Sequence, residues 1–82
     1  MQYDSVITGK VIRSLRKKTG MSQEVLSGLA GIARSHLAMI ENGTKNANVE
    51  TLWQIAEALH IPLSELIHQV EQAHHLHSGT SV

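Results

Sequence analysis

The sequence predicts an all-α fold, a five-helix bundle, and three observations predict it. Apolar residues recur at three- and four-residue steps along most of the chain, the period of a helix with one buried face. With one Trp, one Tyr and no Phe, the core must be made of Leu, Ile, Val, Ala and Met, which suits helices better than sandwiches. Turn residues at Gly20, Gly31, Asn42-Gly43 and Pro62 cut the pattern into short segments. At 82 residues the chain is expected to form one domain over 1–72, followed by a flexible tail over 73–82. The absence of cysteine excludes a disulfide framework and a thiolate zinc site.

The first helix is predicted from Val6 to Thr19, with Ile7, Val11, Ile12 and Leu15 inward and Lys10, Arg13, Lys17 and Lys18 outward. Gly20 supplies its left-handed end. Ser22 is the N-cap of a second helix, Gln23 and Glu24 occupy its first turn, and Val25, Leu26, Leu29 and Ala30 are its expected core face. Gly28 within that helix costs about 1 kcal/mol relative to Ala, so the segment depends on tertiary packing. After the turn at Gly31 a third helix is predicted over Arg34–Asn42, with Leu37 and Ile40 inward and Arg34, Ser35, Ala38 and Met39 on the other side. A polar loop runs to Asn48. The fourth helix, Thr51–Leu59, buries Leu52, Ile55, Ala56 and Leu59. Pro62 opens a fifth, with a stripe of Leu63, Leu66, Ile67 and Val70. Beyond Gln72 the chain turns polar and unpatterned, hence the expected tail.

Charge is balanced overall but not along the chain. Up to position 47, seven basic residues face only Asp4, Glu24 and Glu41, a surplus of four; the remainder holds Glu50, Glu57, Glu65 and Glu71 and no Lys or Arg. A basic half fits a phosphate backbone while the acidic half faces solvent or a partner. No stretch approaches the roughly 20 apolar residues of a membrane span, and the first residues lack the basic and apolar regions of a signal peptide, so a cytoplasmic protein without membrane contact is expected.

Leu26 and Ala30, the glycine turn with Ile32, and then Leu37 and Ile40 have the spacing of a helix-turn-helix, with Ser27 small enough for two helices to cross closely. In that design the second helix enters the major groove, whose width admits one α-helix, and the N-terminus of the first meets the backbone. The run from Ile12 to Glu24, followed by Gly31-Ile32, Ile40-Glu41-Asn42-Gly43 and Leu52 to Leu59, resembles the Cro/C1-type, or XRE, helix-turn-helix family over roughly positions 7–68. Several blocks in register make this a specific match.

The resemblance implies a phage-type repressor, restriction-modification controller or similar transcription regulator, acting as a homodimer on a palindromic operator. It implies that Gln23 donates to a phosphate and stands where it can brace a reading-helix side chain. Arg34, Ser35 and Met39 fall at base-facing positions with His36 and Ala38 beside them. Arg34 is the leading candidate for direct readout, because a guanidinium pairs with guanine O6 and N7 in bidentate fashion. Asn42, Thr44, Lys45 and Asn46 match the loop that holds the backbone after the reading helix, and Arg13, Arg16 and Lys17 are candidates for phosphate contacts from the first helix. Three positions depart from the family pattern: Ala33 where Ser or Thr usually caps the reading helix, Ala47 in place of a loop proline, and Met39 in place of a polar reader.

Other functions fit the residues less well. His68, His74, His75 and His77 lack the spacing and the closing ligands of a metal site, and no nucleophile elbow, HExxH helix or phosphate-binding glycine loop occurs, so neither a cofactor nor an enzyme is expected. Trp53 lies one residue off the core stripe beside Val49 and is either a wall of the bundle or the centre of a dimer interface, for which Ile61, Leu63, Ile67 and Val70 offer further apolar surface. The alternative function is a protein-interaction module such as an antitoxin bound to its toxin; a polymerase contact is a further partner of the regulator.

Overall fold

The computed structural model describes residues 2–78, which form α1 (Ser5–Lys18), α2 (Gln23–Ala30), α3 (Arg34–Glu41), α4 (Val49–Ala58) and α5 (Leu63–Ser78), with no strand among them. The predicted all-α five-helix architecture is observed. α1 lies against α3 and α5, α2 against α3 and α4, and α4 against α5, so the pair α2–α3 is held between α1 and α4, which α5 joins. Ile12, Leu26, Leu37, Ile40, Ile55 and Leu66, from all five helices, are the largest side chains wholly withdrawn from solvent.

Local chemistry sets the helix ends. The Asp4 carboxylate accepts from the Val6 amide at 2.9 Å, the Ser22 hydroxyl from Val25 at 3.1 Å and the Asn48 carboxamide oxygen from Thr51 at 2.8 Å, each satisfying an amide left over at a helix start. Because Asn48 is the cap, α4 begins two residues before the predicted Thr51. Ala33 caps α3 without a side-chain bond, as its chemistry requires. Gly31 is left-handed at φ 74°, and the Ile32 amide returns to the Ser27 carbonyl at 3.0 Å, which reverses the chain between α2 and α3. At the end of α4 the same conformation falls to His60 at φ 63°, with the Ile61 amide bonded to the Ala56 carbonyl at 3.0 Å, and Pro62, whose carbonyl accepts from the Leu66 amide at 3.2 Å, then opens α5.

Two expectations are corrected. The core face of α2 is narrower than predicted: Leu26, Ser27 and Ala30 are buried, whereas Val25 is exposed and Leu29 is 61% exposed. The cause is the shortness of α2, which meets α3 and α4 along a single stripe. The tail predicted from residue 73 is helix as far as Ser78, and residues 79–82 lie outside the described residues. His74, 4% exposed, explains this. Its Nε2 accepts from the Asp4 amide at 2.9 Å, Nδ1 then carries the proton and donates to the Val70 carbonyl at 2.8 Å, and the ring stacks on Tyr3 with centroids 5.3 Å apart. The end of α5 is thereby tied to the start of α1.

Candidate nucleic-acid interface

At the start of α3, Arg34, Ser35 and Ala38 line one shallow hollow on the outer surface, and exposed Met39 continues that face by a further turn. His36 is half-buried on its flank. Arg34, Ser35, Ala38 and Met39, four of the residues singled out by the resemblance, therefore share one side of a short helix whose opposite side, Leu37 and Ile40, is sealed in the core, with His36 at the edge between the two. The face carries one cation and otherwise small or apolar groups.

The loop after α3 is held from within. The Asn42 carboxamide oxygen accepts from both the amide and the hydroxyl of Thr44, at 3.0 and 2.7 Å, and the amides of Thr44 and Lys45 return to the Met39 carbonyl at 3.0 and 3.2 Å. Lys45 and Asn46 stay exposed. The Ser5 hydroxyl donates to the Gly43 carbonyl at 2.8 Å and fastens the loop to the start of α1.

One predicted phosphate contact is wrong. Arg16 is buried, and its guanidinium is spent on Glu41: Nε donates to Oε2 at 2.7 Å and Nη2 to Oε1 at 2.9 Å, while Nη1 donates to the Met21 carbonyl at 2.8 Å. Those hydrogen bonds to Glu41, helped by its charge, hold the Arg16 pKa above the usual guanidinium value although burial acts the other way. The heptad position explains the error: Arg16 follows Ile12 and Gly9 on the inner stripe of α1, whereas Arg13 and Lys17 share the outer face with Lys10, Ser14 and Lys18. Gln23 is half-buried at the start of α2, and its Nε2 donates to Glu41 Oε1 at 3.0 Å. Glu41, missed by the sequence reading, is the group that gathers α1, α2 and α3; its signal was an acidic residue at the inner end of the reading helix.

Of the residues considered for a dimer interface, Val49 (65%), Trp53 (56%) and Ile67 (41%) are exposed, and Trp53 is thus surface rather than a wall of the bundle. Ile61 and Leu63 are half-buried against the core. Val70 is corrected to a core residue, since α5 turns it toward Leu66 and the rest of the cluster. A groove of about 460 Å³ between α1 and α5, lined by Ile7, Lys10, Val11, His68, Gln72 and Leu76 among others, lies apart from the α3 face. Among the described residues no His, Asp and Glu side chains cluster as metal ligands would, and no helix is long and apolar enough to cross a membrane.

Two short helices locked at a glycine turn, the second turning a guanidinium outward, are the frame of a DNA reader. Residues 12–66 match the helix-turn-helix family model, and the chain belongs to this family of DNA-binding transcriptional regulators, of the Cro/C1 type. Among its relatives is the control protein C.MunI of a Mycoplasma species, 37% identical over 65 residues that span 78% of this chain and 88% of that one. The control protein C.BamHI of Bacillus amyloliquefaciens is 30% identical over 63 residues, 76% of this chain and 78% of the relative. The crystal structure of the restriction-modification controller C.AhdI from Aeromonas hydrophila superposes with a TM-score of 0.73 at 37% identity, over 76% of this chain and 94% of that one.

Proposed function

We propose that this protein is a cytoplasmic, homodimeric regulator of the controller type that reads a short inverted repeat through α3, by binding and release alone and without a cofactor. The observation that carries this reading is the outer face of α3, where exposed Arg34 stands beside Ser35 and Ala38 on a helix fixed by its buried side. Arg34 contacts a guanine in each half-site; Ala38 and Met39 offer apolar contact of the kind a thymine methyl accepts. Gln23, Asn42, Thr44, Lys45 and Asn46 hold the backbone at the two ends of the motif, and Arg13 and Lys17 extend the basic surface along α1. The exposed apolar residues Val49, Trp53 and Ile67 supply the two-fold contact, which sets two reading helices about 34 Å apart, one turn of duplex. The restriction-modification controllers among its relatives favour this assignment over a protein-interaction module.

The test is selection of bound sequences from a random duplex pool at moderate salt with wild type and Arg34→Ala. Wild type is expected to return an inverted repeat, and Arg34→Ala to lose preference at one position per half-site, at a cost of about 1–3 kcal/mol for each contact. Lys45→Ala is expected to weaken all sequences alike and to reduce the salt slope by about one. An unchanged motif in Arg34→Ala refutes the assignment of Arg34.

A further inference from the structure

The buried ion pair reaches one group beyond itself, to the residue at the start of α2. We propose that Glu41 is a positioning residue for DNA binding: fixed by Arg16, its carboxylate orients the Gln23 carboxamide toward the phosphate backbone. The inference rests on the assignment of Gln23 as a phosphate contact. Arg16 Nε and Nη2 grip the two oxygens of Glu41 in parallel, at 2.7 and 2.9 Å, so the plane of the carboxylate is set by the plane of the guanidinium. Arg16 is itself held by the Met21 carbonyl at 2.8 Å, one residue before the cap of α2. The same Glu41 Oε1 then accepts from Gln23 Nε2 at 3.0 Å.

A carboxylate only accepts, so the atom of Gln23 that faces it is the amide nitrogen. The second N–H and the carbonyl oxygen of Gln23 are consequently directed away from Glu41, and the side chain spends its rotamer freedom before DNA arrives rather than on binding. Stability alone is a weak reason for such a pair. Buried ion pairs commonly contribute no more than well-packed apolar residues of similar size, whereas only the ion pair can hand a fixed acceptor to Gln23.

That contrast supplies the experiment. The pair is replaced by Arg16→Met with Glu41→Leu, in the wild-type and the Gln23→Ala backgrounds, and thermal unfolding and affinity for a short duplex of the selected repeat are measured. Gln23→Ala is expected to weaken binding about tenfold to a hundredfold, as loss of a charge-assisted hydrogen bond does. The apolar pair is expected to unfold at or above the wild-type temperature and yet to bind equally weakly, with no additional loss in the combined variant. General loosening of the fold gives losses that add, and additive losses overturn the proposal. Wild-type affinity of the apolar pair, with Gln23→Ala still weakened, overturns the brace and leaves Gln23 its phosphate; wild-type affinity of Gln23→Ala overturns both. Should the apolar pair not fold, the side-chain amide of Gln23 in the wild-type protein decides the matter by nuclear magnetic relaxation: order equal to the α2 backbone supports the brace, and the mobility of a free surface glutamine overturns it.

Discussion

Single residues in this bundle are decided by what lies within one carbon of them, and two helical glycines show it with opposite signs. A Cβ at Gly9 would meet the carbonyl oxygens of Ile40 and Glu41, because α1 crosses the end of α3 backbone to backbone, whereas a Cβ at Gly28 would meet nothing within 4 Å. Gly28→Ala therefore gains helix propensity without cost, and unfolding measurements are expected to show about 1 kcal/mol of added stability. Gly9→Ala makes the same local gain but must push two helices apart; a net loss of about 1–3 kcal/mol is expected. Equal effects from the two substitutions would mean that α1 and α3 do not approach as described. The crossing matters for function because Glu41, at that contact, is the residue that α1 and α2 both grip.

At the scale of the element, α3 is eight residues long and begins without a side-chain cap. Ala33→Ser supplies a hydroxyl for one of its free amides and is expected to add about 1 kcal/mol, or roughly 4–8 °C in midpoint for so small a domain. No rise in the melt would mean that another acceptor already serves those amides. That missing cap was legible in the sequence, as were all five helices, the turn at Gly31 and the outward face of Arg34, since each rests on periodicity or on one residue's chemistry. The unread features depend on partners distant in the chain. In sequence Arg16 is indistinguishable from its basic neighbours, and what sets it apart is Glu41, 25 residues on. His74 continues the inner spacing of Leu66 and Val70, but a histidine breaks an apolar pattern by eye; its ties to Asp4 and Val70 appear only when the chain ends meet. Val25 and Leu29 failed in the other direction, as apolar residues on a helix too short to bury two stripes.

The whole molecule is electrically two-sided, and the proposed dimer must work with that division. The glutamates beyond position 47 lie on α4 and α5, the helices that also expose Val49, Trp53 and Ile67. In the proposed dimer a two-fold axis would place like surfaces together, so that Glu50 and Glu57, which flank Trp53 along α4, would meet acidic side chains of a second copy around an apolar centre. Salt then acts in opposite directions on the two associations. On that proposal it is expected to screen repulsion at the acidic interface and strengthen the dimer, while releasing less entropy from counterions at the basic α1–α3 half and weakening DNA binding. Sedimentation without DNA is expected to show a dimer constant that tightens as salt rises from about 50 to 200 mM, over the range in which DNA affinity falls by a power law. Trp53→Ala, removing the largest exposed apolar side chain, is expected to weaken dimerisation by about 2 kcal/mol or more, roughly thirtyfold, while leaving the melt of the monomer nearly unchanged. Affinity for the full repeat should fall with it, and affinity for a single half-site should not. A Trp53→Ala protein that dimerises like wild type would move the two-fold contact off α4, and a dimer weakened by salt would remove the acidic faces from it.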